Sequence, residues 1–310
     1  MRTGQTPVLR STTIDGPCRN VTPPMRSKKS RVASQAPAKL NLTLRITGKR
    51  PDGYHDIFSV MVPVSLYDNV EVRAAEHPGI GISCFGLPSP QNFENIAARA
   101  AAEFHEKARI APHIHLTVDK AIPVAAGLGG GSSDAASTLM ALNEFYGEPL
   151  APACLHGIAA RLGADVPFFL YRRPCLATGI GNLLEPLDPL PALWYIIVMP
   201  PLSISTAWVY RNYKLELTSK ANEDILNLLK KRPLEISRLL GNDLEKVTAS
   251  HFPVIPKIKK ALIEAGARGA LMSGSGPSVF GVFTEEERLE DAAGEISSMR
   301  LGDVFTVRGL

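Results

Sequence analysis

The sequence predicts an α+β fold built as two domains, and three observations carry that reading. Segments with strand period and helix period are interleaved without strict βαβ alternation, which argues against a doubly wound parallel sheet. The proline-rich piece "LEPLDPLPAL" interrupts the pattern at residues 184–193. From about residue 190 strands and helices start afresh, and 310 residues suffice for two cores. The expected division is a basic tail over 1–35, an N-terminal domain over 36–188 and a C-terminal domain over 189–310.

Composition excludes several classes. The 45% hydrophobic and 21% charged content is that of a soluble globular protein, and no apolar run approaches 18 residues, so no membrane partner is expected. Of the 34 Lys and Arg, seven lie in residues 1–35 beside a single acid, Asp15. The remaining 27 basic and 29 acidic residues leave the body close to neutral, which argues against a nucleic-acid partner. The tail itself, rich in Ser, Thr, Pro and basic residues, is expected to be disordered. Its composition is faintly that of a transit peptide, so a plastid is the alternative to a cytoplasmic location; Met25 also offers a second start. Cys18, Cys84, Cys154 and Cys175 are scattered without a CxxC pair, which fits a reducing compartment. His113 and His115 alternate with Ile114, Leu116 and Val118 and belong to the polar face of a strand; no metal-ligand spacing is present.

In chain order, "APAKLNLTLRIT" (36–47) reads as a strand, with Leu40, Leu42, Leu44 and Ile46 on one side and Asn41, Thr43 and Arg45 on the other. "GKRPDGYHD" is turn chemistry, and "IFSVMVPVSLYDNVEVRAAE" reads as two further strands. An alanine-rich helix covers "ENIAARAAAEFHEKARI", and "HIHLTVDKAIPV" returns to strand. Four glycines in the five positions Gly127 to Gly131 then lead into a helix, with Ser132, Ser133 and Asp134 as its expected N-cap residues. "APACLHGIAARLG" is a helix ending at Gly163, and residues 164–187 give loop and strands. The second half offers a strand at 194–199, helices around 221–248 and 256–266, a strand near 268–272, the loop "SGSGP", the strand "SVFGVF" and a final helix over 285–299. There is no internal repeat.

The glycine run carries the chemistry. Glycine costs backbone entropy, so four of them before a helix need a reason. They remove side chains where an anion approaches the first-turn N–H groups, whose dipole favours negative charge. Two common phosphate motifs do not apply. A Walker A loop needs GK followed by Ser or Thr, whereas Gly48-Lys49 is followed by Arg50. The dinucleotide pattern GxGxxG fails at Ser132, and the helix is followed by a turn and another helix.

The run resembles the second motif of the GHMP kinases, the superfamily of galactokinase, homoserine kinase, mevalonate kinase and phosphomevalonate kinase. "APAKLNL" (36–42), "LGADVPFF" (162–169) and "SGSGPSVF" (273–280) match further motifs in the right order, so the resemblance spans residue 36 to the C-terminus. It implies a two-domain GHMP kinase fold, with an N-terminal domain like that of a ribosomal protein and a ferredoxin-like C-terminal α/β sandwich. "PAKLNLTLRITGKRPDGYHDIFSVM" looks like one branch in particular, whose members transfer phosphate from ATP to the 2-hydroxyl of CDP-methylerythritol in non-mevalonate isoprenoid synthesis. The alternatives are another GHMP small-molecule kinase of the homoserine or mevalonate type, or a non-catalytic RNA-binding module.

The resemblance implies the site residues. Asp165 would be the base toward the acceptor hydroxyl and Lys39 would stabilise the transferring phosphoryl group. Pro123, Val124, Ala125, Ala126, Gly127, Leu128, Gly129, Gly130, Gly131, Ser132 and Ser133 would wrap the ATP phosphates, and Asn95 would meet the ATP base. Relatives often carry glycine where Ala125 and Ala126 stand. On the acceptor side, Asn41, sharing a strand face with Lys39, would hold substrate. Tyr54 would stack on cytosine and His55 make polar contact with it. Thr206, Tyr210 and, in the "SGSGP" loop, Gly274 would complete the wall. Magnesium is expected to arrive with ATP and touch Ser132 or Ser133, with no dedicated protein site. The partner is the small-molecule substrate, and the chain is expected to be a monomer or weak homodimer.

Overall fold

The structure, a computed structural model, describes residues 29–215 and 222–310. The tail expected over 1–35 therefore lies mostly outside the described residues. Its last part does not: β1 (Arg31–Lys49) begins five residues ahead of the expected body, with Val32 paired to Val72 and buried in the core. One apolar residue among polar neighbours gave no periodic signal, and the pairing partner supplies the order.

β1 and β2 (His55–Ala74) form a long antiparallel hairpin around Gly53, whose φ is +87°. The two strands expected between residues 57 and 76 are thus one. Pro37 pairs with Tyr67 and Ala38 with Val64, leaving Ser65 and Leu66 outside the ladder, which is the break that the sequence pattern registers. A second irregularity leaves Leu42 unpaired between Asn41 and Thr43. β1 is buried on both faces through its middle, so the expected split into an apolar and a polar side is no division between core and water.

β2 pairs with β4 (His113–Lys120), which runs parallel to β3 (Gly79–Gly86), and with β5 (Cys175–Thr178), which pairs with β6 (Leu183–Pro186). Three glycines in eight residues hid β3 from the sequence reading. Four helices cover this sheet: α1 (Ile96–Ala108), α2 (Gly130–Phe145), α3 (Pro152–Leu162) and α4 (Val166–Tyr171). Phe104, Leu139, Leu142, Ile158 and Phe168 fill the space between them. The short α4 falls where loop was expected; Pro167 sits in its first turn, where its missing N–H costs nothing.

The second sheet is antiparallel, in the order β11 (Asp303–Arg308), β7 (Trp194–Met199), β10 (Val279–Phe283), β9 (Gly269–Met272). Numbered along the chain this is 4-1-3-2, the ferredoxin-like arrangement, with α9 (Val254–Glu264) and α10 (Leu289–Ser298) packed on it. β11 was not foreseen. The intervening chain carries α5 (Thr206–Asn212), α6 (Asn222–Leu229), α7 (Ile236–Leu239), β8 (Gly241–Asn242) and α8 (Glu245–His251). β8 pairs parallel to β1 at Thr43 and Leu44, so the second half completes the first sheet. Leu40, Val60 and Val62 share one apolar cluster with Tyr195, Ile197 and Phe280. The two halves therefore hold β1 between them. No helix among the described residues is long and apolar enough to cross a membrane.

Candidate active site

The glycine run turns the chain from β4 into α2. The helix starts at Gly130, and its N-cap is Gly129 at φ +74°, with no side-chain cap. Ser132, Ser133 and Asp134 lie within the helix and do not cap, contrary to the sequence expectation. A left-handed glycine makes the turn unaided, and the first-turn N–H groups keep no side-chain acceptor of their own. That end of the helix is suited to an anion.

The glycines are required by packing as much as by approach. A Cβ on Gly127 would lie 2.2 Å from the Ser273 carbonyl oxygen, one on Gly129 2.8 Å from Phe169 Cζ, and one on Gly130 2.9 Å from Ile122 Cγ2. Only Gly131 of the four is exposed. The loop is held from both halves: Lys39 N–H donates to the Leu128 carbonyl at 2.9 Å and Ser273 Oγ donates to the Gly127 carbonyl at 3.0 Å. Ala125 adopts φ +54°, a conformation that costs an alanine but not a glycine. Pro123, Val124 and Ala125 form the outer rim and Ala126 and Leu128 are buried beneath it. Ser133 is fully buried, and its hydroxyl has no hydrogen-bond partner among the described residues.

Below the loop, Lys120 of β4 binds both Asp68 of β2 and Asp134 of α2, the latter at 2.7 Å. Asp68 Oδ1 also accepts from the backbone N–H groups of Ala121 and Ile122, at 2.6 and 2.8 Å. Burial pushes the Asp134 carboxyl up to about 8 against the pull of Lys120, with Asp68 adding to the rise. Its Oδ1 has no partner among the described residues.

Lys39 stands beside the loop on β1, almost wholly buried, with Nζ 3.8 Å from Asp165 Oδ2. Asp165 immediately precedes α4, its carboxyl open to water. Burial pushes the Lys39 ammonium below its usual range, and Asp165 opposes that push. Lys39 Nζ donates to Asn41 Oδ1 at 2.5 Å, so the expected shared face of these two residues is present. Gly274, at φ +58°, roofs the pair: a Cβ there would lie 3.4 Å from Lys39 Nζ and 3.5 Å from Asn41 Oδ1.

Asn242, which sequence reasoning missed, holds that roof. Its Nδ2 donates to the carbonyls of Met272 and Gly274 at 2.8 and 2.7 Å. It falls in a stretch with helical composition, so no periodic signal marks it. Thr206 joins the same loop, its hydroxyl 2.7 Å from that of Ser275.

The aromatic wall is only partly as expected. The His55 ring lies 5.4 Å from that of Tyr210 and 6.4 Å, edge-on, from Tyr213. Burial, then Lys49, pushes the His55 imidazole down. Burial and then Asp165 push the Tyr210 phenol up to about 12. Tyr54 is 62% exposed and makes no ring contact with this cluster among the described residues. Asn95 is buried as the N-cap of α1: Oδ1 accepts from Ala97 N–H at 2.9 Å and Nδ2 donates to the Pro90 carbonyl at 3.0 Å. Its amide is committed to the wall rather than displayed to a base.

Comparison with known proteins fits this geometry. Residues 95–173 match the GHMP kinases N terminal domain and residues 225–299 the GHMP kinases C terminal domain. The chain is 48% identical over 272 residues to the 4-diphosphocytidyl-2-C-methyl-D-erythritol kinase of Syntrophotalea carbinolica, covering 88% of this chain and 96% of that one. The chain belongs to the GHMP kinases. The kinase of the same name from Citrifermentans bemidjiense is 45% identical to this GHMP kinase over 265 residues, 86% of this chain and 94% of the relative. A crystal structure of 4-(cytidine 5'-diphospho)-2C-methyl-D-erythritol kinase superposes with a TM-score of 0.78 at 34% identity, over 90% of this chain and 99% of that one. The homoserine kinase of Cytophaga hutchinsonii, at TM-score 0.71 and 21% identity over 91% and 95% of the chains, shares the fold. This GHMP kinase is an ATP-dependent small-molecule kinase of isoprenoid synthesis.

Proposed function

We propose that this kinase transfers the γ-phosphoryl group of ATP to the 2-hydroxyl of 4-diphosphocytidyl-2-C-methyl-D-erythritol. The observation that carries the reading is the Lys39–Asp165 pair, at 3.8 Å, set against the glycine run, where a Cβ on Gly129 would lie 3.1 Å from Lys39 Cγ. The relatives named for that substrate support it.

Phosphoryl transfer needs positioning, charge neutralisation and a receiver for the hydroxyl proton. Asp165, open to water before substrate enters, takes the proton as the hydroxyl oxygen bonds to the γ-phosphorus and the bond to ADP breaks. Lys39, fixed by Asn41, presents its ammonium to the phosphoryl oxygens as charge develops on them. The residues Pro123 to Ser133 and the start of α2 hold the triphosphate. Magnesium offsets triphosphate charge when bound. The buried Ser133 hydroxyl, which has no partner among the described residues, is an oxygen ligand of the type it takes, and Ser133 or its neighbour Ser132 would touch the ion brought with ATP.

On the acceptor side, His55 and Tyr210 receive the cytosine ring, and Tyr54 closes over its outer edge. Asn41, Thr206 and Gly274 face the methylerythritol diphosphate. Asn95 shapes the adenine side through the backbone it caps. The residues before 188 thus bind ATP and carry the catalytic pair, and those after 189 close the acceptor site. The test is ADP release with the cytidine diphosphate substrate, mevalonate and homoserine. Turnover is expected with the cytidine compound alone; equal turnover with mevalonate would overturn the assignment.

A further inference from the structure

Behind Lys39 runs a hydrogen-bond chain whose direction is imposed by the backbone. The Thr43 carbonyl can only accept, and Ser59 Oγ lies 2.6 Å from it, so the Ser59 hydroxyl proton points there. Ser59 then has only lone pairs left for Asn41, which must turn Nδ2 toward it, at 2.8 Å. The other end of the amide, Oδ1, is thereby turned to Lys39 Nζ, at 2.5 Å. Ser59, Asn41 and Lys39 are all buried, so water cannot substitute for a missing partner at little cost. Reversed, the same amide would press N–H groups against an ammonium.

We propose that Ser59 is a positioning residue for phosphoryl transfer, fixing the Asn41 amide so that its oxygen keeps Lys39 aimed and charged. This rests on the reading that Lys39 steadies the transferring group. Ser59 belongs to β2, a strand away from Lys39, and touches no reacting atom. The Leu42 irregularity in β1 lies between Asn41 and the Thr43 carbonyl that starts the chain.

The groups facing Lys39 are few. Asp165, ahead of α4, supplies the opposite charge at 3.8 Å, and Tyr210 of α5 lies under the influence of the same carboxylate. The glycine run and the Ser273–Pro277 loop contribute no ionisable side chain, and α4 contributes Phe169. The Asn41 oxygen is the shorter of the two contacts that favour the ammonium, so its loss lowers the pH at which Lys39 gives up its proton.

The experiment compares Ser59→Ala, Ser59→Thr and Lys39→Met in ATP turnover with the cytidine substrate, alongside thermal melting. In Ser59→Ala, kcat should fall by about tenfold to a hundredfold, the scale of small misplacements in a reacting constellation, with KM for both substrates within about threefold. The alkaline limb of its kcat/KM profile should move to lower pH. Ser59→Thr, which keeps the hydroxyl, should restore both rate and profile. Ser59→Ala added to Lys39→Met should cost nothing further, because the effect passes through Lys39. Should Ser59→Ala not fold, Ser59→Cys keeps the size, weakens both bonds and carries the same expected signs. A wild-type rate and profile in Ser59→Ala, with Lys39→Met inactive, overturns the role of Ser59 alone. So does an equal loss in Ser59→Thr with the profile unmoved. Full activity in Lys39→Met overturns the proposed function and this inference with it.

Discussion

Lys39 Nζ lies 3.8 Å from Asp165 Oδ2, and the two side chains meet water unequally: that of Lys39 is 5% exposed and that of Asp165 39%. The ammonium is built into the protein, held by Asn41 and roofed by Gly274, while the carboxylate keeps an open face. A fixed positive charge suits a phosphoryl group in flight. An accessible carboxylate suits a proton that arrives with the substrate.

Asp165→Asn keeps the shape of the side chain and removes its basicity. Turnover should fall by about two orders of magnitude or more, on the usual scale for a lost general base, while ATP affinity by titration stays within about threefold. Retained turnover would reduce Asp165 to a partner of Lys39.

The Lys120–Asp68–Asp134 cluster makes a claim about stability and pH. With its folded value raised to about 8, Asp134 binds a proton in the native state that the unfolded chain releases near the ordinary carboxyl range. Its contribution to stability is therefore complete below that ordinary range and is lost as pH rises toward and through about 8. Asp134→Asn, which imitates the protonated form, should fold normally and flatten the fall in denaturation midpoint between about pH 4 and pH 8. A variant with an unchanged slope would mean that Asp134 is ionised in the native protein.

What the sequence disclosed, and what it hid, divides along physical lines. Lys39 and Asn41 were legible as neighbours because residues two apart share a strand face, whereas Asp165 was marked by the resemblance of "LGADVPFF" to a GHMP kinase motif. Ser59 and Asn242 were not, since a buried hydroxyl or amide acts through partners supplied by distant chain: the Thr43 carbonyl in one case, Gly274 in the other. The cap of α2 moved from Ser132–Asp134 to Gly129 because the loop's backbone is set by Ser273 and Phe169, a tertiary constraint with no local trace. The glycine-rich β3 and the C-terminal β11 were missed for the same reason, that neighbouring strands decide them.

Within the loop, Ala125 and Gly129 should respond in opposite senses. Ala125 pays about 1–2 kcal/mol for its left-handed conformation, and Gly at that position loses about 0.5–1 kcal/mol in chain entropy. Ala125→Gly should therefore stabilise the protein by about 0.5–1 kcal/mol in a denaturant melt. Gly129→Ala forces a Cβ to within 2.8 Å of Phe169 Cζ and 3.1 Å of Lys39 Cγ. It should destabilise by about 1–3 kcal/mol and weaken ATP binding together, because the same displacement moves Lys39.

The aromatic wall separates two tyrosines that look alike in the sequence. Tyr210 is half-buried with its ring against that of His55, whereas Tyr54 extends into water from the β1–β2 turn. A ring already held in place loses little freedom on stacking with a base, and stacking contributes about 1–3 kcal/mol. Tyr210→Ala should therefore raise KM for the cytidine substrate by about tenfold or more, with KM for ATP little changed. Tyr54→Ala, which gives up a mobile ring, should have the smaller effect on the same constant. If Tyr54→Ala proves the more damaging of the two, the base lies outside the His55–Tyr210 pair and meets the turn instead.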